Sequence, residues 1–335
     1  MAETKAANPA VQPLFATQAR WRPQEIAFWL LPIVAYVLFP DYLALARDVA
    51  IAALFALSLD LILGYAGLVS LGHAAFYGLG AYSAGLLAKA GWGEPFSGLL
   101  LAGAVAGILG LATSFLIVRV QHLALIMITM GVGFLLHEAA NRAAFITGGD
   151  DGLQGVAIWP LFGKFTFDLY GRVAFIYALV VLFLVFLVAR RLIHSPFGLS
   201  LRGIRENLVR MPAIGAPVQR RLQTAYTIAA VMAGIAGGLQ AQTTQFVSLE
   251  VLSFERSADV LIMLVLGGTG RLYGGLIGAA VFIVARDQLS DMNPFYWYFW
   301  MGLLLVLVVL FARGGIIGGA ERIWTLLRHR IGGRT

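Results

Sequence analysis

The chain has 335 residues, of which 60% are hydrophobic and only 12% are charged, and it contains no cysteine. A soluble globular domain carries about 25% charged residues, so this composition predicts an integral membrane protein and excludes a typical soluble domain. The lack of cysteine excludes disulfides, cysteine-based zinc sites, iron–sulfur clusters and a thiol nucleophile, and the net charge of +7 is attributed to cytoplasmic loops rather than to nucleic-acid binding.

Ten apolar segments follow one another along the chain and predict an all-α fold with about 8 to 10 transmembrane helices. They are residues 26–39, 49–66, 68–88, 96–118, 123–145, 173–189, 222–242, 258–270, 272–285 and 295–311. Several are shorter than the roughly 20 residues that a straight span needs, so tilted, broken or re-entrant pieces are expected. Ten spans fit the sequence, and so do eight spans with a re-entrant hairpin.

The basic residues predict the orientation of the chain. With ten crossings and the amino terminus inside, most of the 24 lysine and arginine residues fall on the inner side, as the positive-inside rule requires. Both termini are then cytoplasmic: a tail at residues 1–25, which lacks the apolar core of a signal peptide, and a second tail at residues 314–335. A single transmembrane domain is predicted at residues 26–313.

The segment GYAGLVSLGHAAFYGLGAYSAG, residues 64–85, holds six glycines. It matches neither the G-x-x-x-x-G-K-[ST] phosphate loop nor a dinucleotide loop in a βαβ unit, so cofactor binding is disfavoured. Glycines let membrane helices approach each other closely. We therefore assign Gly64, Gly67 and Gly72 to a close contact between two helices at the inner face.

A second glycine group lies in GRLYGGLIG, where Gly270, Gly274 and Gly278 stand four residues apart. That spacing predicts one flat stripe along a helix. The sequence leaves two interpretations of both glycine groups open, static packing and a translocation path that moves.

Four polar residues within the apolar segments are candidates for lining a translocation path: Asp60, His73, Tyr82 and Thr129. A carboxylate inside a membrane is costly and needs a partner. No basic residue lies three or four positions from Asp60, so its partner is expected on another helix. A structural hydrogen bond is the alternative role for both Asp60 and His73. Glu138 precedes Arg142 by four residues, which predicts a local salt bridge.

Two loops are long enough to have a function of their own. The outer loop, residues 146–172, begins with TGGDDGLQGV and predicts turns. The inner loop, residues 194–221, predicts a helix at 199–210 that ends before Pro212. The apolar side of this helix carries Leu201, Ile204 and Leu208, and its polar side carries Arg202, Arg205 and Glu206. An amphipathic helix at the membrane surface is suited to docking into the cleft of a partner.

Four segments resemble, in their order along the chain, one known family: GYAGLVSLGHAAFYGLGAYSAG, HLALIMITMGVGFLLHEAANRAAFITGGDDGLQGV, SPFGLSLRGIREN followed by AIG, and LIMLVLGGTGRLYGGLIGA. They are similar to the LivM-type permease subunits of the branched-chain amino-acid ABC importers. The resemblance covers residues 64–279. It implies an ABC importer permease fold and the inward translocation of branched-chain amino acids, or of a related small amide or acid.

The resemblance also implies partners: a second, LivH-type permease subunit, two cytoplasmic ATPase subunits, a periplasmic solute-binding protein and the lipid bilayer of a bacterial inner membrane. The chain itself is then no enzyme and holds no cofactor, because ATP binds to the ATPase subunits. The coupling loop of the family corresponds to the inner loop, with Arg202, Arg205, Glu206, Asn207 and Gly215 at matching positions. Two departures from the family pattern are Pro212 in that loop and Leu68, where the family often has glutamine.

The alternative class is a stand-alone secondary transporter or channel, with Asp60, His73 or Glu138 as proton or ion sites. A membrane-embedded enzyme is disfavoured, because the sequence offers no convergent acid, base and nucleophile. The string HEAAN at residues 137–141 also lacks the second histidine of the H-E-x-x-H zinc motif.

Overall fold

The structure is a computed structural model that describes residues 23–120, 122–167, 171–292, 294–311 and 314–319. Eleven helices of at least eleven residues follow one another in this part of the chain. They are α1 Pro23–Leu38, α2 Leu43–Asp60, α3 Ala74–Lys89, α4 Pro95–Ile117, α5 His122–Arg142, α6 Arg172–Ile193, α7 Pro196–Glu206, α8 Val218–Thr244, α9 Phe254–Gly267, α10 Gly274–Met292 and α11 Trp297–Phe311. Shorter helical turns occur at Pro40–Tyr42, Leu61–Tyr65, Ala144–Thr147, Gly149–Asp151, Arg210–Ala213 and Leu249–Leu252.

Ten of these helices correspond one to one with the ten predicted apolar segments, and α7 lies in the predicted inner loop. The all-α prediction is confirmed, since extended pairing in the described residues is limited to two isolated bridges. Five helices are long and apolar enough to cross a membrane by length and composition: α2 with its flanking turns, α4, α5, α6 and α8. The choice between eight and ten crossings stays a prediction.

The centre of the bundle is α8, which packs against α2, α3 and α4. Its inward face is built from alanine and glycine, so neighbouring backbones approach it closely. A Cβ atom on Gly237 would collide with the carbonyl oxygen of Tyr77 in α3, and a Cβ on Gly80 of α3 would collide with the backbone of Gly234. Small residues on both helices are therefore required for this packing.

The two ends of the bundle are built differently. At one end, which we call the α7 end, α7 lies beside the segment that follows α2 and beside the turn before α10. At the other end, the loop end, residues 146–167 cover the bundle. The Leu153 N–H donates to the Val247 carbonyl (2.7 Å), and the Trp159 N–H donates to the Gly93 carbonyl (2.8 Å). The predicted turns in this outer loop are confirmed: residues 146–167 contain one short 3₁₀ turn and five glycines of positive φ.

Local capping explains where α4 begins. Glu94 is the N-cap residue, and its carboxylate accepts hydrogen bonds from the backbone N–H groups of Phe96 (3.3 Å) and Ser97 (2.5 Å). Pro95 occupies the first helical position, where a missing N–H costs nothing. The hydrogen bonds from Ser97 lower the pKa of the Glu94 carboxyl, because they favour its charged form.

The helix in the inner loop differs from its predicted bounds. Prediction placed it at residues 199–210, whereas α7 begins at Pro196 and ends at Glu206. Asn207 has extended backbone angles (φ −153°, ψ 97°) and terminates the helix. Leu208 therefore lies beyond α7 and is exposed, so its predicted place on the apolar face was wrong. Leu201 and Ile204 are buried as predicted.

The amino-terminal boundary also shifts. Helix α1 begins at Pro23, so the last residues of the predicted 1–25 tail are helical. Glu25 in its first turn forms an ion pair of 2.6 Å with Arg190 near the end of α6. Residues 1–22 and 320–335, which make up most of the two predicted tails, lie outside the described residues.

Candidate functional site

The candidate site begins where α2 ends, in the first part of the glycine-rich segment. After Asp60 the chain continues through one π-helical turn, Leu61–Tyr65, and then leaves helical geometry until α3 starts at Ala74. Gly67 has a positive φ of 77°, which a residue with a side chain rarely adopts. Single π-helical turns of this kind are frequent at functional sites. We call residues 60–73 the joint.

Asp60 is almost fully buried, with 1% of its surface exposed, and its partner comes from a distant part of the chain. Its Oδ1 accepts a hydrogen bond of 2.7 Å from the backbone N–H of Gly270. Gly64 makes this possible, because a Cβ on Gly64 would collide with both the Asp60 carboxylate and the Gly270 nitrogen. The sequence predicted a partner on another helix. The partner does come from a distant part of the chain, but it is a backbone N–H in the turn before α10.

Arg205 connects α7 to the joint. Its guanidinium donates a hydrogen bond to the carbonyl oxygen of Gly64, and its aliphatic stem lies on Gly67, where a Cβ would be 3.1 Å from Arg205 Cγ. Arg202, one turn earlier, places its guanidinium 5.2 Å from the centre of the Tyr65 ring, a cation–π distance. Two of the residues predicted for coupling therefore contact the glycine-rich segment directly.

These contacts surround a recess of about 570 Å³ at the α7 end. Its lining brings together residues from three separate parts of the sequence: Gly64, Tyr65, Arg202, Arg205, Glu206 and Gly270. The side chains of Arg202, Arg205 and Glu206 are also reached by solvent. A partner that contacts this face of α7 therefore contacts side chains that hold the end of α2.

Asn207 and Gly215 shape the chain that follows α7. The Asn207 side chain accepts hydrogen bonds from the backbone N–H groups of Val209 (3.1 Å) and Arg210 (2.9 Å), so it caps the short turn Arg210–Ala213. Gly215 has a φ of 82° and ends that turn in open space. The inner loop thus contains two short helical pieces. The break between them begins at Asn207, and Pro212 lies inside the second piece rather than at the break.

The second half of the joint turns back into the bundle. His73 is fully buried, its Nε2 lies 2.8 Å from Ser58 Oγ, and its ring stacks on Phe55 at a centroid distance of 5.4 Å. Both partners belong to α2, so His73 lies about half a turn to one and a half turns back along that helix from Asp60. Gly67 and Gly72 lie in the non-helical segment between α2 and α3, and their close contacts are with Arg205 of α7 and Thr129 of α5.

Thr129 of α5 fixes the same segment from outside. Its hydroxyl accepts a hydrogen bond of 3.3 Å from the Leu71 N–H, and a Cβ on Gly72 would collide with the Thr129 carbonyl. Tyr82 lies farther along α3, outside the joint, and its buried hydroxyl makes no hydrogen bond to the described residues. The structure therefore gathers three of the four candidate polar residues around the joint.

The second glycine group is only partly helical. Gly270 has a φ of 73° and lies in the turn before α10, so the predicted stripe of three glycines was wrong. Gly274 and Gly278 do share one face of α10, and Cβ atoms there would collide with the carbonyl oxygens of Gly268 and Met263. The turn exists because the Gly270 N–H must point at Asp60 instead of continuing a helix.

Two ion pairs lie outside the joint, Glu138–Arg142 and Glu25–Arg190. The predicted Glu138–Arg142 salt bridge is confirmed at 2.6 Å, and both side chains are largely exposed. Sequence reasoning missed the Glu25–Arg190 pair, because it placed Glu25 in a tail. Within the described residues, no cluster of three or more histidine, aspartate or glutamate side chains is arranged to hold a metal ion.

Comparison with known proteins gives a consistent result. The family model "branched-chain amino acid transport system / permease component" matches residues 42–309. The high-affinity branched-chain amino acid transport system permease protein LivM of Salmonella typhimurium is 31% identical over 295 residues, which cover 82% of this chain and 69% of the relative. The protein of the same name from Escherichia coli is 31% identical over 283 residues, 78% of this chain and 66% of the relative. The chain thus matches about two thirds of the length of these relatives, and no solved structure matches it significantly.

Proposed function

The chain belongs to the family of permease components of branched-chain amino acid transport systems, and from this we propose that it is the membrane-spanning permease subunit of an ATP-binding-cassette importer. The solute it moves inward is a branched-chain amino acid or a related small amide or acid. The observation that carries the mechanism is the contact of Arg205 in α7 with Gly64 and Gly67 at the joint.

The two faces of α7 suit a coupling element. Leu201 and Ile204 are buried against the bundle, while the opposite face of α7 is exposed. An ATPase subunit that binds the exposed face and the following turn, including Asn207 and Gly215, can therefore displace α7 as a unit. Because Glu206 lies on this accessible face, it is assigned to docking rather than to the joint.

Displacement of α7 then acts on two linked contacts. Arg205 pulls on the Gly64 carbonyl, and Gly64 lies against the hydrogen bond between Asp60 and the Gly270 N–H. A shift there moves the end of α2 relative to the turn that joins α9 to α10. Packed interfaces of this type have discrete arrangements, so a small push selects between two packings instead of bending one.

Asp60, His73, Tyr82 and Thr129 remain the candidates for lining the translocation path. Asp60, His73 and Thr129 hold the joint in the packing described above, and Tyr82 lies beyond it along α3. In this proposal the joint closes the path at the α7 end. Its glycines Gly64, Gly67 and Gly72, together with Gly270 in the turn before α10 and Gly274 and Gly278 in α10, allow the repacking that opens the path.

The assembly follows from the family. We propose that the chain pairs with a second, LivH-type permease in a bacterial inner membrane, and that two cytoplasmic ATPase subunits and a periplasmic solute-binding protein complete the importer. ATP binds to the ATPase subunits, and this chain supplies no cofactor site. Both termini and the coupling loop 194–221 are cytoplasmic, the loop 146–172 is periplasmic, and the permease domain occupies residues 26–313.

The test uses the complete importer in membrane vesicles. Wild-type uptake of labelled leucine should require ATP and should persist after the proton gradient is collapsed. Arg205→Ala should leave the ATPase subunits bound and ATP hydrolysis active, but should reduce uptake per ATP hydrolysed about tenfold or more, the effect of losing a charge-assisted hydrogen bond of roughly 1.5–3 kcal/mol. Arg142→Ala is the matched control, because Arg142 lies exposed on α5 away from the joint.

Two results would contradict the proposal in different ways. Uptake that ignores ATP and stops with the proton gradient would make the chain a secondary transporter. Unchanged coupling in Arg205→Ala, with normal ATP-dependent uptake, would leave the importer standing and remove the coupling contact.

A further inference from the structure

A second cavity lies away from the joint, along the first part of α2. It has a volume of about 320 Å³, within the usual range for small-molecule sites. Residues of α2, α3, α8, α9 and α10 line it. Asp48 in this lining stands twelve residues before Asp60, so about 18 Å of helix separates the two carboxylates.

Two arginines that line the cavity have N–H donors available for a ligand. Arg256 lies 4.0 Å from Glu250, and Arg286 lies 3.8 Å from Asp259. Both separations exceed hydrogen-bond distance, and the buried Nε of Arg256 has no hydrogen-bond partner in the described part of the chain. A guanidinium has five N–H donors, so both side chains can still bind a carboxylate.

Carboxylates line the same cavity. Asp48 contributes from α2, and Asp287 and Asp291 contribute from α10. Arg47 contacts Asp48 twice, at 2.9 Å each, and both contacts end on Oδ1. The Asp48 side chain is 41% exposed, so its carboxylate is accessible to a solute. Charges of both signs around one small cavity are complementary to a solute that itself carries both signs.

Apolar side chains form the smaller part of the wall. Ile51 and Phe55 face the cavity from α2, Val260 and Met263 from α9, and Ile283 from α10. An aliphatic group placed against these side chains is removed from water without displacing the charged groups. The larger, polar part of the wall can fix the orientation of a small ligand, while the apolar part receives an aliphatic side chain.

We infer that this cavity is a binding subsite for a zwitterionic α-amino acid with an aliphatic side chain. The carboxylate of the amino acid accepts hydrogen bonds from Arg256 and Arg286, its ammonium group donates to Asp48, and its side chain lies against Ile51 and Val260. The inference rests on the proposed function, because it gives the transported solute a position within this chain.

Phe55 links the subsite to the joint. Its ring lines the cavity, and the same ring lies 5.4 Å from the His73 ring and 4.6 Å from the Tyr77 ring, centre to centre. A repacking of the joint that moves His73 therefore also moves one wall of the cavity. Phe55 thus lies between the subsite and His73, which is the last residue of the joint.

The absence of cysteine in the chain offers a direct test. Ser290→Cys places the single thiol of this subunit in the cavity lining. Its reaction with a methanethiosulfonate reagent is followed on this subunit in the membrane complex of the two permeases and the two ATPase subunits, without the solute-binding protein. Leucine should slow the reaction at least fivefold. The matching keto acid, 4-methyl-2-oxopentanoate, and the matching amine, 3-methylbutylamine, should not, because each lacks one of the two charges.

Matched variants test which side chains bind the carboxylate and the ammonium group of leucine. Adding Arg256→Met or Asp48→Asn to Ser290→Cys should raise the leucine concentration needed for protection roughly tenfold or more, which corresponds to one charge-assisted hydrogen bond. Adding Arg142→Met should change nothing, since Arg142 lies on the exposed side of α5. Lys164→Cys, in the exposed outer loop, should react at the same rate with and without leucine.

The outcomes separate this inference from the proposed function. Equal protection by leucine and by the keto acid or the amine would overturn the zwitterion site, and so would no protection at concentrations that support ATP-dependent uptake. In either case the uptake itself still supports the importer. If the complete importer shows no ATP-dependent uptake of any amino acid while leucine still protects Ser290→Cys, the proposed function fails and the subsite stands.

Discussion

Asp48 and Asp60 lie on the same helix, α2, but their carboxylates have opposite surroundings. Asp60 is 1% exposed, and its Oδ1 is held by the backbone N–H of Gly270. The Asp48 side chain is 41% exposed, contacts its neighbour Arg47, and lines a cavity shared with the distant Arg256 and Arg286. At the Asp60 end of α2 the carboxylate is buried and bound to a backbone group. At the Asp48 end the carboxylate is accessible and can change its partner.

The different burial of Asp60 and Asp48 suits the two ends of α2 to different roles. A buried carboxylate must keep its hydrogen bond, because an unpaired polar group in an apolar interior is costly. The joint therefore has a defined packing, and in the proposed mechanism α7 switches it. A carboxylate at a wet cavity can exchange one partner for another at little cost. The cavity end therefore suits a solute that binds and leaves.

The largest effect is expected from Gly64→Ala. The added Cβ would collide with the Asp60 carboxylate and the Gly270 nitrogen, and a backbone neighbour cannot move aside cheaply. We expect a loss of about 3 kcal/mol, seen as a lowered unfolding temperature in detergent and loss of uptake. The control is Gly131→Ala in α5, where a Cβ meets nothing within 4 Å. Equal stability of the two variants would show that the joint is loosely packed.

A smaller effect is expected from Asp60→Ala. This change leaves the buried Gly270 N–H without its acceptor, at a cost of about 1–3 kcal/mol. Asp60→Asn keeps an oxygen acceptor and should recover most of the loss in thermal stability. Asp48→Asn at the other end should leave the unfolding temperature unchanged. A stability loss at Asp48 as large as that of Asp60→Ala would erase the contrast between the two ends.

Ser257→Ala tests how α9 is tied to the start of α3. The buried Ser257 hydroxyl accepts a hydrogen bond of 2.9 Å from the Ala74 N–H, directly after His73. Its loss should cost about 1 kcal/mol and should speed hydrogen exchange at Ala74. Ser83→Ala is the control, because that hydroxyl bonds only to a carbonyl of its own helix. Unchanged exchange at Ala74 would show that this tie does not hold the joint.

The helices could be predicted from the sequence because their signals are local. Runs of apolar residues located ten helices, and the alternation of apolar and basic residues located α7, although its bounds were shifted by three to four residues. Pro196 and Asn207 set the true ends, and only the proline is a strong signal on its own. The Glu138–Arg142 pair was predictable for the same reason, since its residues are one helical turn apart.

The joint and the cavity were not predictable in the same way. Asp60 and Gly270 are separated by 210 residues, and Arg205 and Gly64 by 141, so their contacts depend on how the bundle packs. A sequence shows that Asp60 needs a partner but does not identify it. One signal was present for the cavity: Arg256 and Arg286 stand just outside the two short apolar segments predicted at residues 258–270 and 272–285.

The smallest effect is expected at the Glu138–Arg142 pair, which lies at neither end of α2. The two side chains are 54% and 81% exposed, and an exposed i,i+4 pair contributes only about 0.3–0.5 kcal/mol. Glu138→Gln should therefore leave both the unfolding temperature and leucine uptake unchanged. A secondary transporter that used Glu138 as its proton site would instead lose uptake in this variant without losing stability. Measuring both quantities on one preparation therefore tests whether the functional carboxylates are confined to the two ends of α2.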